Sequence, residues 1–461
     1  MSSVTGNGVI EELRAILPGR VITPADDAYE QARSVFYGSI DRRPAVIARA
    51  ADVSDVSRIV SLARESRAEL AVRSGGHSLA GHGVSEGGIV LDLSEMQAFE
   101  IDVRGRTAWA QTGLTAGRYT VAASEHGLAT GFGDTGSVGI GGLTLGGGVG
   151  FFVRKHGLTI DDLLAAEVVT ADGDLLSVDE ETHPDLFWAI RGGGGNFGVA
   201  TRFEYRLHEV GTILGGLLIL PATAEAIASF VAEAEAAPEE LSAIANVMVA
   251  PPMPFLPAEA HGKPVVIALV CHAGDVEAGE PAMAPFRTIA EPLADFVKPM
   301  SYPEMYRLLG DEEAGPPGRE SVRSFFIDSL DEESGEAIVD HLRSATADVA
   351  VAQLRVLGGA MARVSPDATA FAHRERRVMV ALGTLYQRAE DTPQQDAWVG
   401  SLAAALGDGA PGVYVNFLAD EGEARVREAY PGKTWDRLAE IKRRYDPTNL
   451  FRLNQNIRPS S

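Results

Sequence analysis

Ala71-Val-Arg-Ser-Gly-Gly-His-Ser78 is the stretch whose reading decides the fold. A short apolar run ends there in two glycines and a histidine. A second glycine-rich run follows, Gly131-Phe-Gly-Asp-Thr-Gly-Ser-Val-Gly-Ile-Gly-Gly-Leu-Thr-Leu-Gly-Gly-Gly-Val-Gly150. Loops without Cβ atoms leave backbone N–H groups bare, and such groups form concave nests for a pyrophosphate. An imidazole among those glycines is placed to bond to a cofactor as well as to touch one.

Working outward from these loops, helix and strand signals alternate. Val9, Ile10, Leu13, Ile16 and Leu17 share one helical face, and Pro18-Gly19 stops that helix. Ala45–Arg49 reads as a strand, and Ser54 is expected to cap a helix carrying Val56, Ile59, Val60 and Ala63 at i, i+3, i+4, i+7 spacing. Ala71-Val72 is the strand that delivers the glycine–histidine loop. Ile89–Leu93 is another, and Val168–Gly173 closes a hairpin at Asp172-Gly173. This pattern is α+β rather than a regular βαβ series. Around Leu207–Gly215 the character changes to longer helical stretches, isolated strands and proline-rich loops at Pro251–Pro254 and Pro316-Pro317. The chain therefore divides into residues 1–210, an inserted domain over 211–405, and a segment over 406–461 that returns to the first domain.

A length of 461 residues exceeds what one hydrophobic core serves, which agrees with two domains. The formal charge of −24 would repel nucleic acid and anionic membrane surfaces, and otherwise serves solubility. The single cysteine, Cys271, excludes an intrachain disulfide and sits in an apolar run that reads as a buried strand. The N-terminus is polar, without a basic region followed by an apolar block, and no apolar run approaches the ~20 residues of a membrane span. The expectation is a soluble cytoplasmic protein; its oligomeric state is not legible.

Three motifs are decoys. Gly193-Gly-Gly-Asn-Phe-Gly198 fits the dinucleotide pattern, but a helix precedes it and a strand follows, the reverse of what nicotinamide cofactor binding needs. Gly432-Lys-Thr434 is no P-loop, because Arg427 stands where the first glycine belongs. His77 and His82 lack the cysteines or the second-histidine spacing of a zinc site, so no metal is expected.

The remaining motifs carry a resemblance. Arg73-Ser-Gly-Gly-His-Ser78, Val138-Gly-Ile-Gly-Gly-Leu-Thr-Leu-Gly-Gly-Gly-Val-Gly150 and His156–Asp161 come first. Leu186–Gly198, Tyr414-Val-Asn-Phe417, Tyr445–Arg452 and Asn454–Ile457 follow in order. Together they resemble the vanillyl-alcohol oxidase/p-cresol methylhydroxylase superfamily, and within it the berberine bridge enzyme-like oxidases. The resemblance implies a two-domain α+β fold of the p-cresol methylhydroxylase type, with an FAD-binding domain and an inserted substrate domain made of an antiparallel sheet covered by helices. It implies FAD bonded to His77 through the flavin 8α-methyl. Many relatives carry a second link, to a cysteine three residues before the V-G pair; Thr135 stands there in this chain, so His77 is expected to be the only link.

The same resemblance implies roles for single residues. Ser74, Gly75, Gly76 and Ser78 offer donors to the pyrophosphate. Arg73 compensates charge or forms a surface ion pair. Gly139, Gly142, Gly146, Gly147 and Gly148 let the backbone approach the cofactor, or serve tight turns. Val199 lies beside the cofactor, and Asn416 and Asn454 bond its oxygens or cap local turns. Plant relatives use a glutamate base from a substrate-domain strand; the corresponding stretch is read as Gly358–Ser365, whose charged residue is Arg363, and a guanidinium is no base. That leaves Tyr414 and Tyr386 as candidate catalytic residues, each with packing as its alternative. Val138 stands where oxygen approaches the flavin, and a small side chain there implies an oxidase that makes hydrogen peroxide.

All methionines except Met1 and Met96 fall in the inserted domain, against one tryptophan, Trp398, expected on a surface helix. Methionine lines adaptable apolar pockets and also fills cores, whereas sugar sites favour flat aromatic platforms. The expected substrate is a small apolar, aromatic or natural-product alcohol or amine. A carbohydrate oxidase or dehydrogenase of the same fold is the alternative, and a non-catalytic flavoprotein a further one.

Overall fold

Parallel pairing begins at the glycine–histidine loop. Leu70–Arg73 and Val46–Arg49 both pair in parallel with Ile89–Asp92, and Val21–Ile22 adds an antiparallel edge. This computed structural model describes residues 6–253, 256–308, 318–407 and 412–460; Pro254 and Pro316-Pro317 lie outside the described residues. The helix Val53–Ser66 connects two of the parallel strands and buries Val56, Ile59, Val60 and Ala63. Its cap is Asp52, whose side chain accepts from Asp55 N, and Ser54 lies inside the helix. The backbone is extended at Asp52, so the first free amides fall within reach of its carboxylate rather than of the Ser54 hydroxyl.

A second sheet is antiparallel and runs Phe99–Asp102, Thr107–Gln111, Val199–Arg206, Leu163–Val169, Leu175–Asp179. The last two strands form the hairpin expected at Asp172-Gly173, where Gly173 takes the positive φ of +85°. Helix Pro184–Ile190 leads into the Gly193–Gly198 run and strand Val199–Arg206 leaves it, the order that excludes a dinucleotide fingerprint.

The chain from Ile213 to Tyr386 builds a larger antiparallel sheet. Its order is Ala294–Asp295, Ile213–Pro221, Pro264–His272, Leu241–Val249, Val349–Val356, Val378–Tyr386, Arg319–Ile327, and Lys298–Met300 also pairs with Ile213–Pro221. The helices Ala224–Ala236, Val276–Thr288, Glu332–Ser344 and Thr392–Leu406 supply buried residues to the core on one face of it. Period-2 alternation then sorts the strand Val349–Val356: Ala350, Ala352, Leu354 and Val356 enter that helix-side core, and Val351, Gln353 and Arg355 face the other way.

The methionines fill cores. Met283 lies in the helix-side core, Met300 and Met305 in the core under the opposite face, and Met361 and Met379 in a third cluster. Trp398 lies half-buried on the outer helix Thr392–Leu406, where its ring packs against the helix-side core and its Nε1 donates to His341 O at 2.9 Å. Cys271 is a fully buried strand residue whose thiol burial pushes up to about 12.

The C-terminal segment packs back onto the first part of the chain. Val413, Leu418, Tyr430, Leu438 and Ile457 share one core with Tyr119, Phe187 and Phe203. The helix Lys433–Tyr445 is pinned by Lys442, which is wholly buried and donates to Asn196 O (2.7 Å), Phe451 O (2.9 Å) and Asp446 Oδ2 (2.6 Å). A buried cation with three acceptors satisfies all its donors, so the pair fixes position as well as charge. Among the described residues no helix is long and apolar enough to cross a membrane.

Candidate active site

The two glycine loops and the larger sheet enclose a cavity of about 590 Å³. At one end its wall is Ser74, Gly75, Gly76, His77, Ser78, Gly139, Gly142, Val199 and Asn454. The loops interlock there. A Cβ on Gly75 would lie 2.2 Å from Gly139 N, and one on Gly139 would lie 2.2 Å from Ser74 Oγ, so only bare backbone fits. Ser74 Oγ donates to Thr112 O and accepts from Gly141 N at 3.3 Å, which makes it the bridge between the loops. Ser78 Oγ accepts from His82 N at 3.3 Å.

His77 stacks on Phe36, with ring centroids 4.0 Å apart. Burial lowers its pKa to about 4, partly opposed by a hydrogen bond with the Ser137 backbone. The imidazole is therefore neutral at pH 7 and keeps a lone pair for nucleophilic attack. Arg73 is in a buried ion pair, not a surface one: its Nη2 donates to Asp92 Oδ2 at 2.8 Å. Its enclosed Nη1 has no acceptor among the described residues. Asn454 is similar, with Nδ2 donating to Gly195 O (3.2 Å) and Phe451 O (2.9 Å) while Oδ1 is enclosed and unpartnered. Both ring nitrogens of His82 are enclosed without partners as well. Buried polar groups are normally hydrogen-bonded, so these orphans beside a bare-backbone cradle fit a ligand rich in hydroxyl and phosphate oxygens. FAD is such a ligand. Among the described residues no cluster of metal-ligating side chains occurs.

Several expected cofactor residues are placed elsewhere. Gly146, Gly147 and Gly148 do not line the cavity. A Cβ on Gly146 would meet Asn416 Oδ1 at 2.0 Å, one on Gly147 the Phe371 ring at 3.1 Å, and one on Gly148 Thr159 Oγ1 at 2.0 Å. Protein contacts account for Gly146 and Gly148, and the positive φ of +134° accounts for Gly147. Asn416 does line the cavity, and its Nδ2 donates to Leu143 O and to the Tyr414 hydroxyl, both at 2.9 Å. Thr135 and Val138 line it too.

The two candidate tyrosines separate. Tyr414 lines the cavity, and its hydroxyl accepts from Gly148 N and Asn416 Nδ2, each at 2.9 Å. Burial raises its pKa; the Gly148 amide, the Asn416 amide and the Arg355 charge oppose this. Tyr386 is not brought to the site. It ends the strand Val378–Tyr386 with its hydroxyl between Ser321 Oγ (3.2 Å) and Thr392 Oγ1 (3.0 Å), under the helix Thr392–Leu406. It shares its parity with Val378 and Val380 in the helix-side core, whereas Ala381 and Gly383 line the cavity.

The reading of Gly358–Ser365 as the base-bearing stretch is corrected as well. Arg363 is exposed and paired with Glu239, away from the cavity. The charged strand residue that does line it is Arg355, with Gln353 on the same face. Arg355 Nη2 donates to Asp134 Oδ2 at 2.6 Å and Nε to Gln353 Oε1 at 2.9 Å; Gln353 Nε2 donates to Asn246 Oδ1 at 2.8 Å. Alternation within Val349–Val356 offered a signal, since Gln353 and Arg355 interrupt an apolar strand at matching parity. Asp134 and Asn246 gave none.

Two family models match this chain, one described as FAD binding domain over residues 44–179 and one as berberine and berberine like over 413–458. The (R)-6-hydroxynicotine oxidase of Paenarthrobacter nicotinovorans is 32% identical, over 96% of this chain and 97% of that protein. A crystal structure of 6-hydroxy-D-nicotine oxidase from Arthrobacter nicotinovorans superposes with a TM-score of 0.85 at 29% identity, covering 96% and 98% of the two chains. The xylooligosaccharide oxidase of Thermothelomyces thermophilus is 28% identical over 93% of this chain and 90% of its own length. The fold and cradle thus define an FAD-dependent oxidoreductase. The chain belongs to the berberine bridge enzyme-like FAD-linked oxidases of the vanillyl-alcohol oxidase/p-cresol methylhydroxylase superfamily. Its general chemistry is hydride transfer from substrate to flavin and reoxidation by O2.

Proposed function

We propose that this enzyme oxidises an alcohol or amine carbon of a small apolar, aromatic or natural-product substrate, with FAD held covalently by His77 alone. One observation supports the substrate class: the sheet end of the cavity is walled by Val322, Val351, Ala381 and Phe417 around Gln353 and Arg355, and among the described residues no tryptophan lines it. Such a wall favours apolar or aromatic surface over a sugar face. FAD supplies the two-electron acceptor and the reaction with oxygen. The protein's own contribution is to exclude water with that wall, to cradle the pyrophosphate on Gly75, Gly76, Gly139 and Gly142, and to handle the substrate proton at Tyr414. Because a carbohydrate-named relative stands at 28% identity, aldoses form the second arm of the test. The purified holoenzyme is mixed anaerobically with benzylic alcohols, cyclic amines and aldoses. Bleaching by the first two groups supports the reading; bleaching by aldoses alone, or by none of the three groups, overturns it.

The covalent link has its own outcome. Joining the neutral His77 imidazole to the flavin 8α-methyl would take one hydrogen from each partner, and O2 would accept both as hydrogen peroxide. Acid-precipitated protein is expected to stay yellow, and His77→Ala is expected to release its flavin into the supernatant. Flavin lost from the wild-type precipitate, or a flavin peptide from outside the His77 loop, refutes it.

A further inference from the structure

We propose that Arg355 is a specificity-determining residue that binds an oxygen acceptor on a neutral aromatic substrate, an aryl carbonyl or a ring hydroxyl. The proposal deepens the reading of the cavity as a site for small apolar substrates and rests on it. Arg355 is 4% exposed and lies on the cavity face of the strand Val349–Val356, with its guanidinium carbon 5.0 Å from the centre of the Phe417 ring. Two of its three nitrogens are committed, Nε to Gln353 and Nη2 to Asp134. Nη1 makes no hydrogen bond among the described residues, and Arg355 lines the cavity.

The surroundings decide what that donor takes. Asp134 already balances the guanidinium, so a second carboxylate would bring an unbalanced anion into a wall of Val322, Val351 and Phe417. A protonated amine would meet a cation. A neutral oxygen receives a charge-assisted hydrogen bond without adding net charge. Gln353 is held by its cross-strand partner Asn246, so the guanidinium is fixed from both sides before substrate arrives.

The test is binding to the oxidised wild-type holoenzyme, read by calorimetry and by the flavin difference spectrum. The probes are acetophenone, toluene, benzoate and benzylamine. Acetophenone is expected to bind about tenfold or more tighter than toluene, the ratio of a hydrogen bond to a charged donor, and tighter than benzoate and benzylamine. The advantage over toluene should disappear in the charge-balanced double variant Arg355→Met/Asp134→Asn and return in part with Arg355→Lys. Equal binding of acetophenone and toluene to wild type overturns the proposal without any variant. So does benzoate binding tighter than acetophenone, or an unchanged ratio in a folded double variant. A double variant with a shifted flavin reduction potential and unchanged probe affinities assigns the guanidinium to the cofactor and overturns it too. Since these probes need not be turned over, acetophenone binding through Arg355 survives a failure of the turnover panel, and the two outcomes are separable.

Discussion

Replacing Tyr414 with phenylalanine is expected to slow anaerobic flavin reduction by about 10²–10⁴-fold, the usual contribution of a positioned general base. The substitution keeps the ring packed against Phe371 and Phe417 and removes only the hydroxyl. Two N–H donors, Gly148 and Asn416, point at that oxygen and favour its ionised form, but burial outweighs them and holds the pKa above the ordinary tyrosine value. Tyr414 is therefore protonated at neutral pH, and its basic form grows as pH rises. Wild-type reduction should accelerate with pH up to the raised pKa, and Tyr414→Phe should abolish that dependence. Stopped-flow reduction at saturating substrate measures both. A rate within about threefold of wild type, with the pH profile intact, would leave Tyr414 as the packing residue that holds the Gly148 amide.

Val138→Leu is expected to slow reoxidation by air while anaerobic reduction stays nearly unchanged. Val138 lines the cavity half-buried, and its backbone is pinned by Ala116 N donating to its carbonyl at 2.9 Å, so an added methylene cannot be absorbed by loop movement. Overpacking by a methylene costs roughly 1–3 kcal/mol. If that falls on the approach of oxygen, reoxidation slows about ten- to hundredfold. Mixing reduced enzyme with oxygen reads the effect directly, and equal reoxidation rates for valine and leucine would remove the oxygen gate from this position.

Local features of the site were legible because local sterics write them. The Arg73–Ser78 and Val138–Gly150 runs announce bare backbone wherever they fold, and the structure makes Gly75 and Gly139 meet at a distance no Cβ tolerates. Sequence alone could not divide the second run into cavity-lining and protein-packed glycines. Gly142 opens on the cavity, whereas Gly146 and Gly148 are filled by Asn416, more than two hundred residues later, and by Thr159. The methionine bias of the inserted domain was real but uninformative, since those side chains fill cores and, among the described residues, none lines the cavity between the two glycine loops and the sheet.

Strand periodicity likewise fixed which residues of Val349–Val356 and Val378–Tyr386 share a face, but not which face meets the cavity. That choice was made when the helices Ala224–Ala236, Glu332–Ser344 and Thr392–Leu406 covered one side of the sheet. It sent Tyr386 under a helix and Arg355 into the site. By itself, then, the sequence determined the α+β class, the loop that holds His77 and the family's chemistry, because these rest on contacts between near neighbours or on bare backbone. Tertiary structure alone joined the Asp134–Arg355–Gln353–Asn246 strip, because its four members come from three separate segments and acquire a role only when cross-strand register and burial bring them together.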